Sequence, residues 1–300
     1  MIIEKISLWD DADYVQLHAY VLNNSPEFQA DRKRPAVVIC PGGAYLRTSD
    51  REAEPVALRF AAQGYHAFVL RYTTYFNKRI SDFAELPQGN PRSALPQPLF
   101  DLVKAILTIK ERADEWLVDA DRIAVCGFSA GGHLAASLGV YWHESFLREK
   151  FGGDASRWRP NALVLGYPLT DYPALLSGMN EADETTKSVW ELAGLASFGT
   201  SEPDERLLDR WSPALHVSER TPPAFIWHTA DDGLVYVSNA LNFAAAMSRH
   251  KVPFELHVFE SGVHGLALAD ETSAGGSAHI NPAVQPWVDL AMRWLRKRFE

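Results

Sequence analysis

The chain has 300 residues, 47% of them hydrophobic and 22% charged, which suits one large α/β domain, or two small ones, with ample material for a buried core. A formal net charge of −9 argues against nucleic acid or an anionic membrane, either of which would need a basic patch, so neither is expected as a partner. The start, MIIEKISLWDDADY, lacks the basic residues, apolar stretch and small-residue cleavage site of a signal peptide. No apolar run reaches the roughly 18 residues of a membrane span, and a cytoplasmic location is the expectation.

In chain order, IIEKISLW and YVQLHAYVL alternate as the two arms of a hairpin would. PAVVICP, HAFVLRY, DRIAVCGF, NALVLGYP, PAFIWHT and FELHVFE then read as strands. Between them, residues 51–63, 98–116, 130–142, 237–250 and 283–299 carry helical patterns. In the second of these, Leu99, Leu102, Val103, Ile106 and Ile109 form one apolar stripe. This alternation predicts a mostly parallel sheet of eight strands with helices on both faces. Two long excursions interrupt it. Residues 73–98 are polar, aromatic and proline-spotted, and residues 171–221 carry Trp190, Phe198 and Trp211 without a strand pattern. Both are expected as lid-like insertions above the sheet within a single domain spanning 1–300. The most basic stretch, RWLRKR at 293–298, belongs to the solvated face of the last helix. Cys40 and Cys126 end two apolar strand patterns and are expected to be buried free thiols.

Chemistry concentrates in AVCGFSAGGHLA, residues 124–135, where a strand pattern runs through Gly-x-Ser-x-Gly into a helix rich in small residues. That is the strand–turn–helix setting of a nucleophile elbow, with Ser129 lifted above the sheet and the Ala130 N–H facing the same space. A serine hydroxyl needs a base. Of ten histidines, His18, His66 and His257 fall within strand patterns, and His133 lies on the elbow helix, where packing or a hydrogen bond is its expected role. His264, in SGVHG directly after the last strand, sits where reactive groups of open α/β sheets gather. The orienting carboxylate is then Asp231 or Asp232 in HTADDGLV, with Asp171 as the outside choice. PGGAY at 41–45 follows the strand AVVIC and offers clustered N–H groups from Gly42, Gly43 and Ala44 for an oxyanion.

GFSAGGHLA, PGGAY, HTADDGLV and SGVHG together resemble the α/β-hydrolase superfamily. More narrowly they resemble bacterial esterases related to the acetyl esterases of xylan breakdown and to the hormone-sensitive-lipase-like group. The resemblance covers roughly residues 15–299. It implies an α/β-hydrolase fold with Ser129 as nucleophile and His264 as base. The family's H-x-x-x-D-x-x-V pattern places the acid on Asp232, with His228 and Val235 completing the match and Asp231 one residue out of register. It places the oxyanion donors on Gly43, Ala44 and Ala130. Pro41 stands where the lipase-like HGGG loop has histidine and Ala44 where it has its third glycine, which favours the acetyl-esterase side.

The expected activity is hydrolysis of short acyl esters, acetyl groups on sugars or xylo-oligosaccharides, through an acyl-enzyme. It needs no cofactor and no metal, and a homo-oligomer is compatible with it. A general short-chain carboxylesterase and a serine oligopeptidase share the same residues. The oligopeptidases usually add an N-terminal propeller, for which the stretch before the first strands leaves no room. A catalytically silent binding module would lose a member of the Ser–His–Asp set, and a metal-dependent deacetylase would need H-x-x-x-H-like ligand spacing, which is lacking.

Overall fold

The computed structural model describes residues 1–77, 88–179 and 183–300. Its strands are β1 (Ile2–Ser7), β2 (Gln16–Val21), β3 (Arg34–Cys40), β4 (His66–Arg71), β5 (Val118–Phe128), β6 (Ala162–Gly166), β7 (Ala224–Thr229) and β8 (Phe254–Phe259). They form one sheet in the order β1-β2-β4-β3-β5-β6-β7-β8. The β1/β2 hairpin and its junction with β4 are antiparallel, and every later pairing is parallel. The helices are α1 (Glu54–Ala62), α2 (Gln97–Glu111), α3 (Ala113–Trp116), α4 (Ala130–Tyr141), α5 (Ser145–Phe151), α6 (Tyr172–Ser177), α7 (Glu184–Phe198), α8 (Glu205–Arg210), α9 (Ser238–Arg249) and α10 (Trp287–Phe299). Among the described residues no helix is long and apolar enough to cross a membrane.

The central strands are buried on both sides, and alternation along each strand feeds two cores. Val38, Cys40 and Val125 pack under α2, α4 and α9, whereas Val37, Ile39 and Cys126 pack under α1 and α10. The expected stripe of α2 is wholly buried. The predicted helix 98–116 is broken at Arg112, which bridges Glu4 and Glu115 and lies 4.0 Å over the Trp116 ring. The helix expected from residue 51 starts only at Glu54, with Pro55 in its first turn, so Arg51 and Glu52 stay outside it. Likewise α10 begins at Trp287, directly after Pro286, not at 283.

Of the two excursions, residues 78–87 and 180–182 lie outside the described residues. The remainder of 171–221 supplies three helices, α6, α7 and α8, joined by turns and irregular segments. Each of these starts at an aspartate whose carboxylate takes a first-turn N–H: Asp171 from Ala174 (2.9 Å), Asp183 from Thr186 (2.7 Å) and Asp204 from Leu207 (2.8 Å). The two excursions also meet, because Leu95 N–H donates to Ser197 O (2.9 Å) and Ser93 Oγ to Ala196 O (2.8 Å).

The β3/β5 register sets Cys126 opposite Ile39 and Gly127 opposite Cys40, so the two thiols project from opposite faces of the sheet and both are free. Burial pushes both thiols up from their ordinary range. Thiol counting under denaturing, non-reducing conditions should therefore find both cysteines, with little reaction in the folded protein; a count of none would contradict this placement.

His66 and His133 are buried and neutral. His66 Nδ1 accepts from Leu22 N–H (3.1 Å), and His133 lies between Tyr45 O–H and Trp211 O (2.7 Å each). Burial lowers each to about 4. An unfolded histidine titrates near 6.5. Below that pH the unfolded chain gains protons that the folded chain refuses until about 4, so stability should fall as pH drops through this window. The melting temperature should be lower near pH 5 than near pH 7, and His66→Asn, which keeps an acceptor for Leu22, should soften the drop. An equal drop in both proteins would place the linkage elsewhere.

Candidate active site

Strand β5 ends at Phe128, α4 begins at Ala130, and Ser129 between them has φ 53° and ψ −121°. A non-glycine residue in this region is strained and persists only where its surroundings over-determine it. Here they do. Ser129 N–H donates to Gly166 O (3.1 Å), and its carbonyl accepts from His133 (2.9 Å) and Leu169 (3.3 Å). A Cβ on Gly127 would lie 2.1 Å from Gly131 O, and one on Gly131 would lie 2.0 Å from Cys40 O. Only glycine at both positions lets the strand, the turn and the end of β3 approach this closely.

The other groups arrive from the next strands. After β8, His264 places Nε2 2.8 Å from Ser129 Oγ. After β7, Asp232 places Oδ2 2.7 Å from His264 Nδ1. An ionised carboxylate only accepts, so His264 Nδ1 carries the proton and Nε2 is free to accept from the serine hydroxyl. Asp232 Oδ1 accepts from the N–H groups of Leu234 (2.9 Å) and Val235 (3.0 Å). His228 Nε2 donates to Val235 O (2.8 Å) and lies 3.4 Å from Asp232 Oδ2. Burial alone would raise the Asp232 carboxyl, but the charge of His264 and hydrogen bonds from His228 and His264 outweigh it and hold the group well below the usual carboxylate range.

The alternative carboxylates have other partners. Asp231 Oδ1 accepts from Gly262 N–H (2.7 Å) and so anchors the segment that carries His264. Asp171 caps α6 and accepts from Asn242 Nδ2 (2.8 Å). His133, buried behind Tyr45, makes no bond to Ser129 through its ring.

The donor loop follows β3. Gly43 (φ 127°) and Ala44 (φ 57°) turn it sharply, and a Cβ on Gly42 would sit 2.8 Å from Ser129 Cβ, which puts the loop beside the serine. The loop carbonyls are committed elsewhere: Gly43 O accepts from Leu46 (3.0 Å) and Arg47 (3.2 Å), and Gly42 O from Ser49 (2.9 Å). The N–H groups of Gly43, Ala44 and Ala130 make no hydrogen bond among the described residues. Gly42 N–H, grouped with them in the sequence reading, donates instead to Glu52 Oε2 (2.7 Å). Glu52, Tyr167 and Arg51 had no part in that reading. An acidic residue just ahead of a helix looks like a partner for its dipole, and a tyrosine after a strand looks like core.

A cavity of about 630 Å³ opens beside His264, lined by Thr186, Asp231, Leu234, Val263 and Ala278 among others. A more apolar one of about 340 Å³, between Tyr172, Leu176, Trp190, Phe198 and Leu208, includes neither Ser129 nor His264 in its lining. Among the described residues no cluster of three or more His, Cys, Asp or Glu side chains could hold a metal ion.

A family model described as BD-FAE matches residues 24–247. The chain belongs to the BD-FAE family. It is 36% identical, over 99% of its length and 98% of the other chain, to MGS-M1, an alpha/beta hydrolase enzyme from a Medee basin deep-sea metagenome library, with a TM-score of 0.70. The fold is that of the α/β-hydrolases. It is 31% identical to the acetyl ester-xyloside bifunctional hydrolase of Caldicellulosiruptor lactoaceticus, covering 98% of this chain and 96% of that one, with a TM-score of 0.75. Endo-1,4-beta-xylanase B of Butyrivibrio fibrisolvens is 29% identical over 90% of this chain but only 39% of its own length. Against the first five curated relatives, this chain spans between 39% and 56% of their lengths.

In this BD-FAE chain the His264 Nδ1–H bond to Asp232 should give a strongly deshielded imidazole proton resonance. It should vanish in Asp232→Asn and survive in Asp231→Asn. Loss in Asp231→Asn alone would move the partner back by one residue.

Proposed function

We propose that this protein is a serine carboxylesterase that removes short acyl groups, acetyl above all, from esters of sugars or xylo-oligosaccharides. The observation that carries the reading is the unbroken line from Ser129 Oγ to His264 Nε2 (2.8 Å) and from His264 Nδ1 to Asp232 Oδ2 (2.7 Å), beside three uncommitted N–H groups. His264 takes the serine proton as Oγ attacks the ester carbonyl. Asp232 holds the imidazole in the required tautomer and stabilises the imidazolium. The N–H groups of Gly43, Ala44 and Ala130 receive the oxyanion, supported by the N-terminus of α4. Protonated His264 then passes its proton to the departing alcohol. A water deprotonated by the same histidine attacks the acyl-serine and releases the acid. Every proton transfer uses the chain's own groups and water.

For the substrate, support comes from the solved relative named for acetyl ester and xyloside hydrolysis, and from the cavity at His264. That cavity mixes polar and small apolar side chains. A long greasy tunnel would gain about 0.8 kcal/mol for each methylene that fits. The expected profile over p-nitrophenyl esters is a maximum of kcat/KM between acetyl and butanoyl, and a steady climb through octanoyl would contradict it. Ser129→Ala should keep the fold and lose on the order of 10⁴–10⁶ in kcat. Asp232→Asn should lose around 10⁴, while Asp231→Asn, whose amide oxygen can still accept from Gly262, keeps most activity. Full turnover by Ser129→Ala would end this reading.

A further inference from the structure

We propose that Glu52 is a positioning residue that sets the donor loop against Ser129; this rests on the esterase reading above. Glu52 is 4% exposed and pairs with no cation among the described residues. An unpaired buried carboxylate is costly, and an apolar side chain of similar volume would serve a core better. Its two oxygens are instead divided between the two halves of the site. Oε2 accepts from Gly42 N–H (2.7 Å), and Oε1 accepts from Tyr167 O–H (2.6 Å). Tyr167 Oη in turn accepts from Ala267 N–H (2.9 Å), three residues beyond His264, and its ring stands edge-on to the imidazole at 5.0 Å between centroids. One carboxylate thus connects the loop that would bind the oxyanion to the segment that carries the base.

The choice of donor matters more than the count. Of the N–H groups of Gly42, Gly43 and Ala44, Glu52 takes the first and leaves the next two uncommitted. The bond anchors the start of the loop at Gly42, and the Gly43 and Ala44 peptide planes beyond it are held through Gly42 O by Ser49 (2.9 Å) and through Gly43 O by Leu46 (3.0 Å) and Arg47 (3.2 Å). The neighbouring residue braces the other side. Arg51 donates to Gly265 O and Ser273 O (2.7 Å each), holding the chain just after His264. Residues 51–52 reach both loops because α1 starts only at Glu54.

An oxyanion donor that drifts out of place should lower kcat and leave ground-state binding alone. The test compares wild type, Glu52→Gln, Glu52→Asp and Glu52→Leu on p-nitrophenyl acetate, with rates referred to competent sites titrated to completion by an organophosphonate. The glutamine oxygen can still accept from Gly42 and should keep kcat within about five-fold; aspartate draws back from Gly42 and leucine offers nothing, so both should lose about ten- to a hundred-fold with KM little changed. Affinity for a trifluoromethyl ketone, whose adduct carries an oxyanion at the same place, should fall in step with kcat/KM. If the leucine variant does not fold, the aspartate variant carries the test. Wild-type kcat per titrated site in the aspartate variant, or a change confined to KM, would overturn the role of Glu52. An inactive wild type, or an active Ser129→Ala, would instead overturn the esterase reading itself.

Discussion

The carbonyl of Cys40 at the end of β3 and the Cα of Gly131 in the first turn of α4 approach so closely that a Cβ on the latter would sit 2.0 Å from the carbonyl oxygen. This contact joins the two elements that flank Ser129. It presses the loop 41–45 onto the elbow, so that N–H groups from two distant parts of the chain end up beside one hydroxyl. Core packing then holds it, because interiors are close-packed and strain at one residue is supported by many neighbours. Ser129 keeps its positive φ since its own N–H and C=O are both engaged and the glycines on either side admit no relaxation.

Around this contact, carboxylates, most of them buried, tie the loops at the carboxyl end of the sheet. Asp232 binds its own turn through Leu234 and Val235 while it holds His264, and Asp231 reaches across to Gly262. Glu52 links Gly42 to Tyr167, and Asp171 starts α6. Asp101, also buried, accepts from Trp9 Nε1, Gln97 Nε2 and Thr73 N–H, which secures the chain leaving β4. A carboxylate offers several acceptor sites, so it can satisfy N–H groups from two segments at once; for Asp232, Glu52, Asp171 and Asp101, burial makes such a bond expensive to break.

How much of this was legible in the sequence depended on how local the cause was. The six strands from β3 onward were readable as short apolar runs bounded by turn residues, and β1 and β2 by their hairpin alternation. Ser129, His264 and the Asp pair stood out because each directly follows such a run. Choosing Asp232 over Asp231 took a family register, since both leave the same strand and only three-dimensional direction separates them. Three features stayed hidden. The helices of 171–221 rest on aspartate caps and packing against α9 and residues 91–95, not on a continuous apolar stripe. The break at Arg112 coincides with its pairing to Glu4, far away in the chain, which no local pattern announces. Glu52 is hidden for the same reason: its partners lie ten and 115 residues off.

The central claim is that Ser129 attacks an acyl carbonyl whose oxygen is received by Gly43, Ala44 and Ala130. A crystal structure of the protein inactivated by a monoalkylphosphonate tests it most directly. The account predicts a covalent bond from Ser129 Oγ to phosphorus, with one non-bridging oxygen about 2.7–3.1 Å from those three backbone nitrogens. An adduct on another residue, or a phosphoryl oxygen turned away from all three, would contradict it.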